Sequence, residues 1–368
     1  MTTTLGAPSD RAPGGHNPLS RSRLGAMQHA GIGLAAAAIG ILATVALGGF
    51  RWGWALMLAA ISYVVLIYAV ARRFEDRRQA TDRLATAVMT MAFVLVLFPL
   101  VSVAWTVISK GSARFDATFF SDTMRLTPEQ LLAQNEGAEV GGAIHAVYGT
   151  LMVTGLAAAL SVPFGLFTAI YLVEYGRGRL ARWITAMVDV MTGIPSIVAG
   201  LFAYALFVLV FGPGTRSGIA GAVALTVLMT PVVIRSAEEI LRLVPDELRE
   251  ASLALGVPKW KTIVKIVIPT AIAGILTGVT LAIARVIGET APLLVTAGLA
   301  QDTNLNPFSG RMSTLPVYTY QLYKFPTLPP QASIDRAWAA ALTLVVIVGI
   351  LFTIARVIAT ILKPKGLR

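Results

Sequence analysis

Residues 236–265 read SAEEILRLVPDELREASLALGVPKWKTIVK and form a charged segment between two long apolar stretches. The segment holds five acidic and five basic residues. The Pro-Asp-Glu sequence at 245–247 is typical of a helix start, because proline suits the first turn and acids suit the positive end of the helix dipole. Gly256, with a proline two residues further on, is typical of a helix end. The pattern predicts a short amphipathic helix over about 246–255.

The chain around this segment is too apolar for an ordinary soluble protein. Of its 368 residues, 56% are hydrophobic and 13% are charged, whereas soluble domains carry about 25% charged residues. The absence of cysteine excludes disulfides, iron–sulfur clusters and thiol catalysis. With only three histidines, a histidine-based metal site is not expected. In a membrane protein the net charge of +11 indicates topology rather than binding of nucleic acid.

Eight apolar stretches have about the 20 residues that a helix needs to cross a bilayer. They lie at 29–49, 54–71, 84–108, 144–173, 184–211, 218–235, 266–298 and 337–361. The sequence therefore predicts an all-α membrane protein, a polytopic helical bundle of about eight transmembrane helices.

Loop charges predict that both termini lie in the cytoplasm. With this orientation, 19 of the 30 lysines and arginines fall in inside segments and eight in outside segments, as the positive-inside rule requires. Residues 1–28 are predicted to be a disordered cytoplasmic tail, and 362–368 a second cytoplasmic tail. Outside, loop 109–143 is predicted to form a short cap. Loop 299–336 is either a surface loop or a docking surface for an external partner.

Ionisable side chains inside the spans are candidates for function, because their burial in a membrane is costly. Arg285 and Glu289 are four residues apart, which predicts that they share one helix face and form an ion pair. Such a pair could also serve packing alone. Arg235 ends the sixth span, where it either lines a pathway or reaches to the headgroups. Guanidinium groups suit oxyanions through bidentate bonds, and a nearby carboxylate such as Glu289 would keep that binding from becoming too tight for transport.

Glycine and proline interrupt two of the spans. These residues are Gly193, Pro195 and Gly200 in the fifth span, and Pro292 and Gly298 in the seventh. Such breaks are tolerated where the backbone faces a cavity or protein rather than lipid. They make Ser196 and Thr290 secondary candidates for contacts with a substrate. The alternative is ordinary close packing by small residues.

The charged segment resembles the EAA loop of ABC importer permeases. Glu250-Ala251-Ser252, then Gly256, then Ile-Val-Ile-Pro at 266–269 carry the likeness, with mild departures at Ser252 and Ile268. The resemblance implies that the helix docks in a groove of a separate ATPase subunit, with Glu250, Ala251, Ser252 and Gly256 as the coupling residues. The sequence has no Gly-x4-Gly-Lys-Ser/Thr loop, so we expect no cofactor on this chain and Mg-ATP in the partner.

Residues 284–294, ARVIGETAPLL, resemble the signature of phosphate ABC permeases, and their ending is closer to the PstA branch than to the PstC branch. Residues 193–202 and 313–317 resemble further stretches of that family. The likeness covers about 84–361 and implies a six-helix permease core. Residues 29–83 are then an N-terminal two-helix extension.

The resemblance implies a non-catalytic subunit that forms half of the pathway for inorganic phosphate in a bacterial plasma (inner, cytoplasmic) membrane. It implies four kinds of partner: a PstC-like permease, PstB-like ATPase subunits, a PstS-like external phosphate-binding protein and the lipid bilayer. Arg235, Arg285 and Glu289 match family positions proposed for phosphate passage.

Three other functions stay open at this point. The chain could be an ABC permease for molybdate or sulfate, although the Gly-Glu-Thr-Ala-Pro-Leu-Leu run disfavours this. A proton-coupled secondary carrier with Glu289 as its proton site would need inverted repeats, and none is apparent. An integral-membrane enzyme would need a nucleophile, a metal or an acid–base pair in a cavity, for which only Arg285 and Glu289 are weak candidates.

Overall fold

The computed structural model describes residues 26–135, 140–327 and 329–362, and every regular element in these ranges is a helix. The predicted all-α fold is therefore confirmed. Nearly all of the two predicted tails, 1–28 and 362–368, lies outside the described residues. Contacts divide the chain into one compact unit that ends at Trp105 and a second that begins at Thr106.

The helices follow one another along the chain, and most of the connections between them are short. They are α1 (Ala26–Ala46), α2 (Trp52–Phe74), α3 (Arg77–Gly111), α4 (Ala117–Ser121), α5 (Pro128–Asn135), α6 (Ile144–Ile170), α7 (Gly178–Thr192), α8 (Ser196–Phe211), α9 (Gly218–Arg242), α10 (Asp246–Ala254), α11 (Lys259–Thr262), α12 (Ile268–Val286), α13 (Ala291–Thr296), α14 (Leu315–Lys324) and α15 (Pro330–Leu362). Two π-helical turns, Tyr171–Tyr175 and Ile263–Val267, extend α6 and precede α12.

Seven helical stretches of the described chain are long and apolar enough to cross a membrane, and α7 with α8 makes an eighth if that bent pair is one span. This agrees with the prediction of about eight. The predicted fifth span, 184–211, is not straight, because α7 and α8 meet at 106°. Gly193 and Pro195 lie at this bend as predicted, whereas Gly200 lies inside α8 without interrupting it. The side of the membrane on which the termini lie stays a prediction.

In the first unit, α1 and α2 pack closely through small residues. A Cβ atom at Gly40 would lie only 2.5 Å from the Ala55 carbonyl oxygen, so glycine is what permits this approach. A polar contact joins the three helices of this unit. The Arg83 guanidinium binds both oxygens of the buried Glu75 carboxylate at 2.7 Å and donates to Nε2 of His29 at 2.7 Å.

In the second unit, α6, α9 and α12 form the core. Val153, Leu225, Met229 and Val286 are among the apolar side chains buried between them. A Cβ atom at Gly165 of α6 would lie 2.7 Å from the Val233 side chain of α9, so α6 and α9 can approach closely. Several of the shorter helices pack against this core.

A compact cap covers the end of α6 that is distant from α10. The side chains of Phe119, Leu315 and Tyr318 are buried there against α15. The Tyr318 hydroxyl donates to the Gly142 carbonyl oxygen at 3.0 Å, and buried Arg114 donates to that of Gly141 at 3.0 Å. The cap predicted for 109–143 is therefore present over its described residues, and α14 from the predicted loop 299–336 completes it.

Candidate functional site

The seventh predicted span ends earlier than its apolar length suggests. Helix α12 stops at Val286, the amide of Glu289 donates back to the Val286 carbonyl oxygen at 3.1 Å, and α13 begins at Ala291. Pro292 lies in the first turn of α13, where its fixed backbone angle favours a new helix. The predicted end of this span at 298 is therefore wrong: the spanning helix ends at Val286 and the chain turns at 287–290, before the predicted break at Pro292.

This turn also corrects the prediction for Arg285 and Glu289. Arg285 is in the last turn of α12 and exposed, whereas Glu289 is half-buried and lies beyond the end of the helix. Within the described residues, no ion pair joins the two side chains. The four-residue spacing could place them on one face only in a continuous helix. The Arg285 guanidinium is therefore left unneutralised by Glu289.

Helix α13 lies between α8 and α9. A Cβ atom at Gly200 of α8 would lie 2.5 Å from Cα of Pro292. A Cβ atom at Gly221 of α9 would lie 3.0 Å from Cδ2 of Leu293. These two glycines let α13 approach both helices closely.

The contact between Gly200 and Pro292 joins the breaks in the two spans. Ser196 is the first residue of α8, one helical turn before Gly200, and Thr290 directly precedes α13. Both side chains are half-buried. Of the predicted pathway residues, Arg285, Glu289 and Thr290 lie at the break between α12 and α13, and Ser196 lies at the break between α7 and α8.

Arg235 belongs to a different part of the molecule. It lies 14 residues after Gly221 along α9, which at 1.5 Å per residue is about 21 Å from the contact with α13. Its guanidinium pairs with Asp189 of α7 and, at 2.8 Å, with the nearly buried Glu238. Glu238 also binds Arg242 at 2.7 Å. Arg235 therefore ties the bent span to α9, and its charge is balanced by carboxylates.

The sequence reasoning missed this network, although part of it was visible. Arg235, Glu238 and Arg242 are spaced three and four residues apart, the spacing at which helical side chains meet. Asp189 is 46 residues away from Arg235, so no local pattern could have paired them.

The predicted amphipathic helix is present as α10, Asp246–Ala254, with Asp246 and Glu247 in its first turn. Gly256 ends it with a φ of +76°, a left-handed conformation that favours glycine. The surrounding predicted loop is shorter than 236–265, because α9 continues to Arg242 and α11 begins at Lys259.

The coupling residues predicted on α10 divide into two groups. Glu250 and Ala251 are exposed, as is Gly256. Ser252 is buried instead, and its hydroxyl lies 2.8 Å from that of Thr262 in α11. Ser252 therefore holds α10 against α11 and does not lie on the open surface. Beside the exposed charged residues, large apolar side chains are also exposed there, at Leu243, Leu248, Leu253, Leu255 and Trp260.

Arg249 joins α10, through an ion pair, to the π-helical turn at the end of α6. Its guanidinium binds the Glu174 carboxylate at 3.0 Å and donates to the carbonyl oxygens of Leu241 at 2.9 Å and Val244 at 2.5 Å. Glu174 is 6% exposed, so this ion pair is shielded from water. Lys259 adds a hydrogen bond to the Glu174 carbonyl oxygen and lies 4.8 Å from the Tyr175 ring centroid. Arg249 and Lys259 therefore connect the α10–α11 segment to the end of α6, and Arg249 also connects α10 to the end of α9.

The described residues contain no group of three or more His, Cys, Asp or Glu side chains placed to hold a metal ion. The polar groups gathered at the breaks are one guanidinium, one carboxylate and two hydroxyls. Such a set can bind an anion transiently, because its single cation lies in the same region as a carboxylate.

Comparison with known proteins places this arrangement among transport proteins. The sequence model of a family described as the binding-protein-dependent transport system inner membrane component matches residues 161–366. Phosphate transport system permease protein PstA 1 of Mycobacterium tuberculosis (strain CDC 1551 / Oshkosh) is 49% identical over 282 residues, which are 76% of this chain and 89% of that protein. PstA of Mycobacterium leprae (strain TN) is 46% identical over 284 residues, again 76% and 89% of the two chains.

A solved structure shows the same fold. The chain is similar to a protein of the MetNI methionine ABC transporter in inward-facing conformations, with a TM-score of 0.51 and 20% sequence identity. The match covers 65% of this chain and 100% of that chain. At this identity the likeness concerns the arrangement of helices and not the substrate.

Proposed function

The chain belongs to the family of binding-protein-dependent transport system inner membrane components, and on this premise we propose that it is the PstA-type permease subunit of an ATP-driven phosphate importer. In this function it forms half of the transmembrane pathway for inorganic phosphate. The assignment of phosphate as the substrate rests on the 49% sequence identity with a mycobacterial phosphate permease, over 89% of that protein.

We propose that phosphate passes the breaks between α12 and α13 and between α7 and α8. Arg285 offers an exposed guanidinium there, and arginine binds phosphate through paired charge-assisted hydrogen bonds. Thr290 and Ser196 add hydroxyl groups. Glu289 limits how tightly the anion is held, because a transport site must also release its cargo.

Coupling to ATP hydrolysis is proposed to occur at α10. The helix is exposed at Leu248 and Leu253, and an exposed helix with apolar and charged side chains can dock into a groove of a partner. Glu250 and Ala251 lie exposed on the same helix, and the turn at Gly256 leads directly to α11 and α12. The ion pair of Arg249 with Glu174 connects movements of α10 to α6.

The proposed assembly lies in the bacterial plasma membrane. It contains a PstC-like permease as the second half of the pathway and two PstB-like ATPase subunits that bind Mg-ATP. A PstS-like protein delivers phosphate from outside. This chain is itself non-catalytic and binds no cofactor. ATP binding closes the ATPase pair and moves the coupling helices, so that the pathway alternates between outward and inward access.

Uptake of labelled phosphate tests the pathway. Cells that lack this chain and any other high-affinity phosphate system are complemented with wild type, Arg285→Gln or Arg51→Gln, a control that changes an exposed arginine outside the proposed pathway. We expect Arg285→Gln to lose uptake while the ATPase still co-purifies, and Arg51→Gln to retain it. Normal phosphate uptake in the deletion strain, or loss of molybdate or sulfate uptake alone, would refute the substrate assignment.

Co-purification tests the coupling helix separately. The double variant Glu250→Gln with Gly256→Val changes the exposed acid and the left-handed turn without touching the breaks in the spans. We expect the ATPase subunit to be lost from the purified complex. If the ATPase stays bound and phosphate uptake is unchanged, α10 is not the coupling element.

A further inference from the structure

A groove of about 560 Å³ opens between α12 and α15, apart from the breaks that form the proposed pathway. Gly274 and Thr277 line it from α12, and Phe352, Thr353, Arg356 and Thr360 line it from α15. Small residues on both helices keep the groove open: Ala273, Ala355 and Ala359 complete much of its wall. Nothing in the proposed transport cycle uses it.

Arg356 is the one charged group in this lining. Its side chain has no ion pair or hydrogen bond within the described part of the chain. The other three arginines of the long helices α9 and α15 each have partners: Arg235, Arg242 and Arg336. A cation on a membrane helix is costly unless it has a partner, so the unpaired Arg356 side chain is a candidate site for an anionic ligand.

The hydroxyl groups that line the groove donate their hydrogen bonds to backbone carbonyl oxygens of their own helices. Thr277 donates to the Ala273 carbonyl oxygen at 2.8 Å, Thr353 to that of Gly349 at 2.8 Å and Thr360 to that of Val357 at 2.7 Å. The groove therefore presents one strong donor, the Arg356 guanidinium, on an otherwise apolar wall. A matching ligand has one anionic head and an apolar body.

The position of Arg356 along α15 suits a lipid headgroup. Residues 273–280 in the middle of α12 face residues 352–360 in the last third of α15. Arg356 is six residues from the end of α15 at Leu362, or about 9 Å. In the direction of the membrane centre, α15 continues with exposed Val345, Val346 and Ile350.

We propose that this groove binds one anionic phospholipid, with its phosphate on Arg356 and an acyl chain along Phe352 toward Val345, which lies two turns away on the same helix face. Basic pockets between transmembrane helices bind anionic headgroups in this way. Free phosphate matches the wall less well, because it has no apolar body to cover Phe352 and the alanines. The proposal does not depend on which solute the importer carries.

Native mass spectrometry of the purified full chain tests the proposal. Dioleoyl phosphatidylglycerol or dioleoyl phosphatidylcholine is added to the protein in detergent, and bound lipid is counted for five proteins. Beside wild type, these are Arg356→Gln, Arg356→Lys, Thr353→Phe, which fills the groove but keeps the charge, and Arg179→Gln. The last is the matched control, because Arg179 is exposed on α7 outside the groove.

We expect wild type to retain one phosphatidylglycerol in preference to phosphatidylcholine. Arg356→Gln should weaken phosphatidylglycerol binding by about fivefold or more, the effect of one arginine at a lipid surface. Arg356→Lys should retain most of the binding, Thr353→Phe should lose it, and Arg179→Gln should leave it unchanged.

Five results would overturn the proposal. Equal binding by Arg356→Gln and wild type would remove the arginine from the site, and normal binding by Thr353→Phe would remove the groove. An equal loss in Arg179→Gln would indicate general attraction to basic surfaces. If inorganic phosphate displaces the lipid, or if a co-purified second permease excludes it, the groove holds a solute or a protein instead.

Discussion

Replacement of Arg249 by methionine should release α10 from the body of the protein. The methionine keeps an apolar side chain in place but removes the ion pair to Glu174 and the bonds to the carbonyl oxygens of Leu241 and Val244. Arg249 is 16% exposed and Glu174 is 6% exposed, so the carboxylate would be left shielded from water without its partner.

The size of the effect follows from these contacts. Hydrogen bonds to charged groups contribute about 1.5–3 kcal/mol each, and breaking a buried ion pair costs about 3–5 kcal/mol. Part of this loss is recovered when α10 moves and Glu174 becomes hydrated. We therefore expect the free energy for local opening of α10 to fall by about 3 kcal/mol. At 1.4 kcal/mol per factor of ten, backbone amides in α10 should exchange about 100-fold faster.

Hydrogen exchange measured by mass spectrometry on the purified full chain checks this value for peptides that cover 246–254. Arg179→Met is the control, because it removes an exposed arginine with no contact to α10. The double variant Glu174→Gln with Arg249→Met should recover part of the protection, since the buried charge is gone. Wild-type exchange in α10 of Arg249→Met would refute the reasoning, and equal acceleration in α9 would show global unfolding instead.

Three further predictions concern packing and burial, and all are checked by thermal unfolding in detergent. Gly200→Ala should lower the free energy of unfolding by about 1–3 kcal/mol, because its Cβ would lie 2.5 Å from Cα of Pro292. The control Gly155→Ala, which has open space around it, should leave the unfolding midpoint unchanged or raise it. Ser252→Ala should cost about 1–3 kcal/mol by leaving the buried Thr262 hydroxyl without its partner, and the double variant with Thr262→Val should recover most of that loss in the same assay. Burial raises the pKa of Tyr318 to about 12, so the free energy of unfolding should fall as the pH rises between about 10 and 12; Tyr318→Phe should remove that dependence, and an unchanged slope in this variant would contradict the assignment.

Helix α10 shows what local sequence can predict. A proline, two acids in the first turn and a glycine at the end are all short-range signals, and the predicted range 246–255 differs from Asp246–Ala254 by one residue. The bend at Gly193 and Pro195 is predicted for the same reason, because both residues act on their own backbone. The likeness to phosphate permeases also rests on short runs of residues.

Arg285 and Glu289 show where local reasoning fails. Their four-residue spacing describes a helix face only if the helix continues, and α12 stops at Val286. The stop coincides with the place where α13 packs between α8 and α9, through Gly200 and Gly221. Those glycines come from distant parts of the chain, so the packing that holds the turn at 287–290 cannot be seen in the local sequence.

The sequence by itself determined the all-α membrane class, the approximate number of spans and the short helix α10, because apolar length, loop composition and helix-end residues are local properties. Only the tertiary structure decided which charges are paired. Asp189 and Arg235 are 46 residues apart, and Glu174 and Arg249 are 75 apart. An ion pair needs two side chains within a few ångströms, and only the packed helices bring these residues together. The same packing left Arg285 exposed and gave Arg235 its carboxylate partners.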